Sequence, residues 1–498
     1  MKKIGIIQTD TLPGDFPNNL RAIVQGYREC LDHGAELVLA PAYALCGLNP
    51  RSLMNRASFL RQQEDAAITL ADELSNTNVP LLLGYGIDAT EGKDLTDYPE
   101  VDSWGMEDEL LHDADDTEPS YETHPFVRMT PCLIFRGNVR PIPDGSILTL
   151  QGKRCFVTTE EAESLPTEDA DLIVHMPTTA WSNRSVTRED DIYSWETLFG
   201  DIPVICLHAV GAADDEIHGG GSAVYLDGHL QSRLPFFETA TRIINLKGKP
   251  KASQPSTEVG ELMQKALERW LRDSVRNNGY TGVCIPLDYP NSALLTAIAI
   301  SALGSGNVIG ATFEDREPGC ISVHKLTLGD LPTQASAIVA TDEPAGLTAR
   351  LKGALLSTLA ESRGLLLLCP LDRTAFLLGH FNLYGESCGH LAPLGNLYRM
   401  DTYLLSQRYS DRYPDLFGSL TEPEHPEQDR IIHDLTERNI SAGDLLHTAG
   451  HLFRENDVRR IQRRTLASAL KRYQLPLILC VEEAKERLLF PLAHRLND

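Results

Sequence analysis

The sequence predicts an α/β protein built as two domains, and three observations carry that prediction. Apolar strand-like runs alternate with amphipathic helices at the start of each half. A Lys-, Pro- and Ser-rich stretch over 247–256 separates the halves and reads as a boundary. The last hundred residues are charge-rich with helical periodicity, a helical tail on the second half.

The elements follow in order. Ile4–Gln8 is a first strand. Leu20, Ile23, Val24, Tyr27 and Leu31 recur at helical spacing, and Gly34 is placed to end that helix. Glu36–Pro41 and Leu81–Tyr85 read as buried strands. Residues 87–124 break the pattern: fourteen Asp or Glu stand against one basic residue, Lys93. That balance predicts a solvated acidic loop. Strands resume at Cys132–Phe135, Cys155–Val157, Leu172–His175, Val204–His208 and Ala223–Leu226. The second half opens with Leu262, Met263, Ala266, Leu267, Trp270 and Leu271 on one helix face. A strand (Gly282–Ile285), an apolar helix (Ala293–Leu303) and a strand (Val308–Ala311) follow, which predicts a parallel sheet with helices on both faces.

Composition excludes several classes. A net charge of -25 repels polyphosphate, so neither nucleic acid nor an anionic membrane surface is an expected partner. Lys2 and Lys3 precede an apolar run too short for a signal peptide, and nothing approaches the roughly 18 apolar residues of a membrane span. The expected location is the cytoplasm. None of the ten cysteines forms a C-x-x-C pair, which predicts reduced structural thiols rather than disulfides or a metal centre. His175, His208, His218, His380 and His390 show no metal-ligand spacing and read as isolated packing or surface residues.

Motif order in the first half is more informative. "LVLAPAYALCGLNP" holds Pro41, Ala42, Tyr43, Ala44, Leu45, Cys46 and Gly47; "GKRCFVTTEEAE" holds Thr158, Thr159, Glu160 and Glu161; "GAADDEIHGGGSAVYLDG" holds Gly211, Asp215, Glu216, Gly220, Gly221 and Ser222. This order resembles a nitrilase-type amidase, with P-E-L-A-L-x-G-Y, I-C-E-D and G-x-D-E-x-x-x-G-G-S at those places. The resemblance implies that a general-base glutamate has become Ala42 and a nucleophilic cysteine has become Thr159, followed by Glu160. Between Arg136 and Gly152 there is no room for the family's lysine loop. Amide hydrolysis by this route needs a thiolate, a base for its proton and a cation for the oxyanion. Threonine without a base supplies none of these. Cys155 lies on the preceding strand and reads as a core thiol.

The second half resembles the ATP-pyrophosphatase-type NAD synthetase domain. Where that family has S-G-G-x-D-S, this chain has Leu287, Asp288, Tyr289, Pro290, Asn291 and Ser292, and only Ser292 is kept. The glycines of such a loop let backbone N–H groups wrap pyrophosphate at a helix N-terminus. Tyr289 adds bulk, Pro290 removes a donor and Asp288 adds negative charge. One such charge 4 Å from phosphate costs roughly 4 kcal/mol at an effective dielectric of about 20. Further on, E-N-L-Q-A-R appears as 345–350, G-N-K-S-E as Leu371, Asp372, Arg373, Thr374 and Ala375, and L-Y-G-[DE] as Leu383–Glu386. Asn396 and Arg399 stand at two further nucleotide-site positions, and "ATFEDREPG" stands where the ATP-holding serine motif belongs.

Together the motifs cover roughly 1–86 and 125–498. The chain is identified as resembling the glutamine-dependent NAD synthetase family, degenerate at its chemical positions. The resemblance implies a nitrilase-like αββα sandwich over 1–246, with the acidic loop 87–124 inserted. It implies a Rossmann-like parallel sheet of the adenine nucleotide alpha hydrolase type, with a helical tail, over 257–498. The family would use ATP and Mg2+; here no cofactor is expected. The expected role is a catalytically inactive scaffold or regulatory subunit, as a homo-oligomer or with an active NAD synthetase. Residual glutamine- or ammonia-dependent NAD(+) synthesis, or a repurposed small-molecule site around Thr158–Glu161, are the alternatives.

Overall fold

The first strand, β1 (Lys3–Gln8), is buried along nearly its whole length because it lies between two neighbours. It pairs parallel with β2 (Leu37–Leu39) and antiparallel with the late strand β14 (Ala240–Asn245). The computed structural model describes residues 1–88, 127–159, 170–187, 189, 202–247, 254–339, 344–418 and 420–481. Residues 89–124 of the acidic loop, Glu160 and Glu161, and the closing segment after 481 lie outside the described residues, whereas Ile87 and Asp88, read as the start of that loop, continue the strand Leu81–Asp88 because they pair with Arg128 and Val127. Chain contacts divide the protein into two units, Met1–Ala213 with His218–Thr257, and Asp214–Ile217 with Glu258–Asp498.

The first unit holds two six-stranded sheets. One runs β14-β1-β2-β3-β4-β5, with β3 Leu81–Asp88, β4 Val127–Phe135 and β5 Asn138–Pro141. The other runs β13-β12-β9-β8-β7-β6, with β6 Ser146–Leu150, β7 Lys153–Thr158, β8 Leu172–His175, β9 Val204–Cys206, β12 Ala223–Leu226 and β13 His229–Arg233. A short hairpin, β10 (Val210–Ala213) with β11 (Glu216–Gly219), intervenes. Ile4, Ile6, Leu37 and Leu39 of the first sheet share one buried cluster with Cys155, Val157, Leu172, Val174 and Ile205 of the second. That cluster is the filling of the sandwich, and each fully buried aliphatic side chain contributes about 1.5–3 kcal/mol. Alternation along the same strands turns Ile7 and Val38 the other way. There they meet Ile23, Val24 and Tyr27 of α1 (Phe16–Asp32) and Phe59, Ala67 and Leu70 of α2 (Ala57–Leu74). Helix α1 stops at His33, and Gly34 takes φ +79°, which a side chain disfavours.

Several boundaries differ from the sequence reading: Glu36–Pro41 keeps only Leu37–Leu39 as strand, and the strand read as Cys132–Phe135 starts earlier, at Val127. The run Val204–His208 is strand only to Cys206. Its partner β12 begins at Ala223, after Gly220 and Gly221 turn with positive φ, so pairing with β12 ends at Cys206; Leu207 N–H still donates to the His175 carbonyl, and His208 N–H turns to Ser222 Oγ. The segment 136–152, which has no lysine loop in sequence terms, is instead the crossover between sheets: β5 closes the first sheet and β6 opens the second.

The second unit is built on a four-stranded parallel sheet in the order β17-β16-β15-β18. Its strands are β15 Gly282–Pro286, β16 Val308–Thr312, β17 Ser322–Lys325 and β18 Leu365–Leu367. Helix α3 (Val259–Asn277) precedes β15, and its Trp270 is fully buried. Helix α4 (Ser292–Leu303) packs on β15 and β16. Helices α5 (Leu331–Val339) and α6 (Pro344–Ser362) precede β18, and Leu356 and Ala360 of α6 cover Cys284 and Leu367. Beyond the sheet, α7 (Arg373–Leu378) packs with the helices Glu427–Thr436, Ala442–Ala449 and Glu455–Ala467 around Phe376, Ile431, Leu445 and Ile461. Among the described residues no helix is long and apolar enough to cross a membrane.

Candidate functional site

The position of the amidase base is packed rather than open. Ala42 is completely buried and belongs to the apolar cluster between the sheets. Gly84 of β3 runs hard against it: a Cβ on Gly84 would lie 2.4 Å from the Ala42 Cα. Thr159 follows β7, where the nucleophile would stand, and is 8% exposed. Its N–H donates to Asp144 Oδ1 at 2.7 Å. Its hydroxyl lies 2.9 Å from Asp144 Oδ2 and 3.1 Å from the Met129 carbonyl, so its one proton has an acceptor within the chain. Cys155 is buried, and desolvation pushes its thiol up to about 12. None of the ten cysteines is in a disulfide.

The loop at the phosphate-binding position turns its polar groups inward. Leu287 N–H donates to the Ala311 carbonyl, Tyr289 N–H to Ser292 Oγ and Ser292 N–H to the Tyr289 carbonyl. Pro290 has no N–H to offer. Ser292 Oγ in turn donates to the Pro286 carbonyl at 2.6 Å. Asp288 does not face outward as a free charge. It accepts from Thr312 Oγ1 at 2.5 Å and from the Phe313 N–H at 2.8 Å, tying the end of β15 to the end of β16. Asn291 Nδ2 donates to the Pro370 carbonyl and to Asp372. Tyr289 is half-buried, and its hydroxyl is raised by desolvation and then by Cys388 and Glu386.

Residues at the G-N-K-S-E positions are equally committed. Arg373 is 3% exposed, 2.9 Å from Glu437 and stacked over the Tyr398 ring. Thr374 Oγ1 donates to Asp429 at 2.5 Å. Asp372 caps α7 by accepting from the Ala375 N–H.

Sequence spacing missed one constellation. His175, His208 and His218 are not isolated. Thr158, His175 and Cys206 sit side by side in the register of β7, β8 and β9. Alternation places Cys206 with Phe156, Ile173 and Tyr225, on the face of the second sheet turned away from the sandwich core. On that face His208 Nε2 lies 3.2 Å from Cys206 Sγ and touches Glu189 Oε2. Cys206 Sγ is also 3.7 Å from His175 Nδ1. Arg233 Nη1 donates to Glu189 Oε1 at 3.0 Å, as does the Tyr225 hydroxyl. Burial would raise the Glu189 carboxyl, but His208, Arg233 and Tyr225 outweigh it and bring it down to about 2. His218 is 3% exposed, and desolvation, then His208, lowers it to about 4. Its ring meets Tyr43, the residue after Ala42, edge-on. The only sequence signal for this cluster is that Cys206 and His208 share one strand face; Glu189 comes from a separate segment.

The NAD synthase family (model "NAD synthase") matches residues 332–416. The glutamine-dependent NAD(+) synthetase of Synechocystis sp. is 24% identical over 451 residues, covering 81% of this chain and 80% of that protein. Among solved structures, the glutamine-dependent NAD(+) synthetase from Cytophaga hutchinsonii superposes with a TM-score of 0.76 at 13% identity, covering 98% of both chains. The one from Acinetobacter baumannii, in complex with ADP, gives 0.69 at 15% identity, covering 97% of this chain and 96% of that one. At these identities the superpositions establish the fold.

Proposed function

We propose that this chain, a member of the glutamine-dependent NAD synthetase family in sequence and fold, has set aside both of the family's reactions. In this reading it serves as a scaffold or regulatory subunit in the cytoplasm, assembled with itself or with an active NAD synthetase. One observation carries the reading most: the N–H groups of Leu287, Tyr289 and Ser292 are bonded within the chain, and Asp288 bridges β15 to β16. A phosphate would have to displace these bonds and approach a carboxylate, without the glycine cradle that normally receives it. ATP and its Mg2+ therefore do not fit the residues present, and no reaction step is derived through them. At the amide position, Ala42 offers no base and Thr159 gives its proton to Asp144 or Met129.

The test is a paired assay. Glutamine hydrolysis and NAD formation are each measured with this chain alone, and then with the host's ordinary NAD synthetase added. Neither activity alone, with altered activity of the added enzyme, is the expected result. Turnover by this chain alone would overturn the reading.

A second reading, residual glutamine- or ammonia-dependent synthesis of NAD(+) from deamido-NAD with ATP, is favoured by the match over four-fifths of the length to a glutamine-dependent NAD(+) synthetase. Calorimetry with ATP and magnesium separates the two, since synthesis requires binding and millimolar nucleotide without heat removes it.

A further inference from the structure

We propose that Glu189, Cys206 and His208 form a binding site for a divalent cation of the zinc class, with an open coordination position toward the cavity that His218 and Trp181 line. The site is independent of the proposed loss of both family reactions.

Convergence of donors is the first argument. Glu189 Oε2, Cys206 Sγ and His208 Nε2 all lie within 4.8 Å of one another. Ligand atoms at tetrahedral angles around zinc are separated by about 3.5 Å, given bond lengths of about 2.0–2.3 Å. Cys206 Sγ and His208 Nε2 stand near that separation at 3.2 Å, whereas His208 Nε2 and Glu189 Oε2 are in hydrogen-bond contact, so a metal has to part those two. The second argument is valence. One imidazole nitrogen carries either a proton or a lone pair. His208 Nε2 nevertheless faces both the thiol and the carboxylate. One hydrogen bond serves one of those two contacts, and the Cys206 thiol has a further neighbour in His175 Nδ1 at 3.7 Å; a cation would take a donor atom from all three groups at once. This geometry also separates the cluster from a nucleophile–histidine–carboxylate triad, where the carboxylate would sit on the other ring nitrogen.

The surroundings point the same way. A cavity of about 30 Å³ is lined by Glu189, His208, His218, Trp181 and Arg233. It has room for one ion or one water. Among the described residues, His218 Nε2 and Trp181 Nε1 are buried there with no hydrogen-bond partner. Two orphaned polar atoms at the mouth of the cluster are what a metal-bound water or small oxygen ligand would satisfy. Arg233 and the Tyr225 hydroxyl hold Glu189 by Oε1, which leaves Oε2 for the centre. A mixed sulfur, nitrogen and oxygen donor set favours zinc over calcium or magnesium, which take oxygen alone. The positive charge of Arg233 is opposed by the carboxylate and, on metal binding, by the thiolate, whose proton leaves to solvent.

The competing description is an ion-pair network of Glu189, His208 and Arg233 with no metal. The full chain, dialysed against Zn2+ and then metal-free buffer, is assayed by mass spectrometry for bound metal. It is also loaded with Co2+ and read for thiolate-to-cobalt absorption. Stoichiometric zinc and a cobalt–thiolate band, both lost in Cys206→Ser while its circular dichroism is unchanged, are expected. His208→Asn serves as the second variant should Cys206→Ser fail to fold. If neither folds, the parent decides by the same two readouts. Metal far below stoichiometry in the parent, or a cobalt spectrum identical in parent and folded variant, overturns the proposal.

Discussion

The amide position and the phosphate loop depart from their enzyme relatives in different ways. At the first, which the proposed reading takes as emptied of chemistry, Ala42 is sealed in apolar packing between the sheets. At the second, polar groups remain but are turned to structural use: Asp288, Ser292, Asn291 and Arg373 all bond within the unit. The difference is instructive. Covalent catalysis depends on a few atoms with the right acidity, so losing one side chain suffices. Binding a polyphosphate depends on many weak donors, so its loss requires each donor to find another partner.

That contrast can be broken by experiment. The largest effect is expected at Arg373, where a family lysine position has become a buried ion pair. Arg373→Met leaves Glu437 without that partner and should lower stability by about 3–5 kcal/mol. Thermal unfolding would then shift down by roughly 10 °C for a unit of this size. An unchanged midpoint would mean that Arg373 is held loosely enough to serve a ligand. Next is the restoration of the amidase pair, Ala42→Glu with Thr159→Cys. A carboxylate placed in the apolar cluster should cost about 3 kcal/mol, with no glutamine hydrolysis gained. A stable variant that hydrolyses glutamine would show the inner face to be still a site.

A smaller loss, about 1–3 kcal/mol, is expected for Asp288→Ala, because the Phe313 N–H loses its acceptor and the Thr312 hydroxyl keeps only the Glu314 carbonyl. Urea titration measures the loss, and calorimetry should still find no ATP heat. Heat appearing in this variant would sharpen the comparison, by tracing the block to one charge. The smallest effect is an absence of labelling. With its thiol pushed up to about 12, Cys155 should resist iodoacetamide at pH 8 until the chain is denatured, as peptide mass spectrometry would show. Rapid native labelling would identify a reactive thiol on the sandwich face.

Sequence by itself determined the strand and helix alternation, because periodicity of apolar residues is local. Ile23, Val24 and Tyr27 mark their buried helix face without any knowledge of what lies opposite. It also determined the identities Ala42 and Thr159, which the resemblance aligns with a glutamate and a cysteine of an amidase, since an identity needs no coordinates. Only the tertiary structure decided what the replacements do. That Asp288 reaches β16, that Thr159 reaches Asp144, and that β1 pairs with β14 are contacts between distant parts of the chain. The cluster of Glu189, Cys206 and His208 belongs to the same category. Parallel strands set His175 beside Cys206 through their register, and a separate segment brings Glu189 over them. Register is fixed by the whole pattern of buried faces, and linear spacing carries no trace of it.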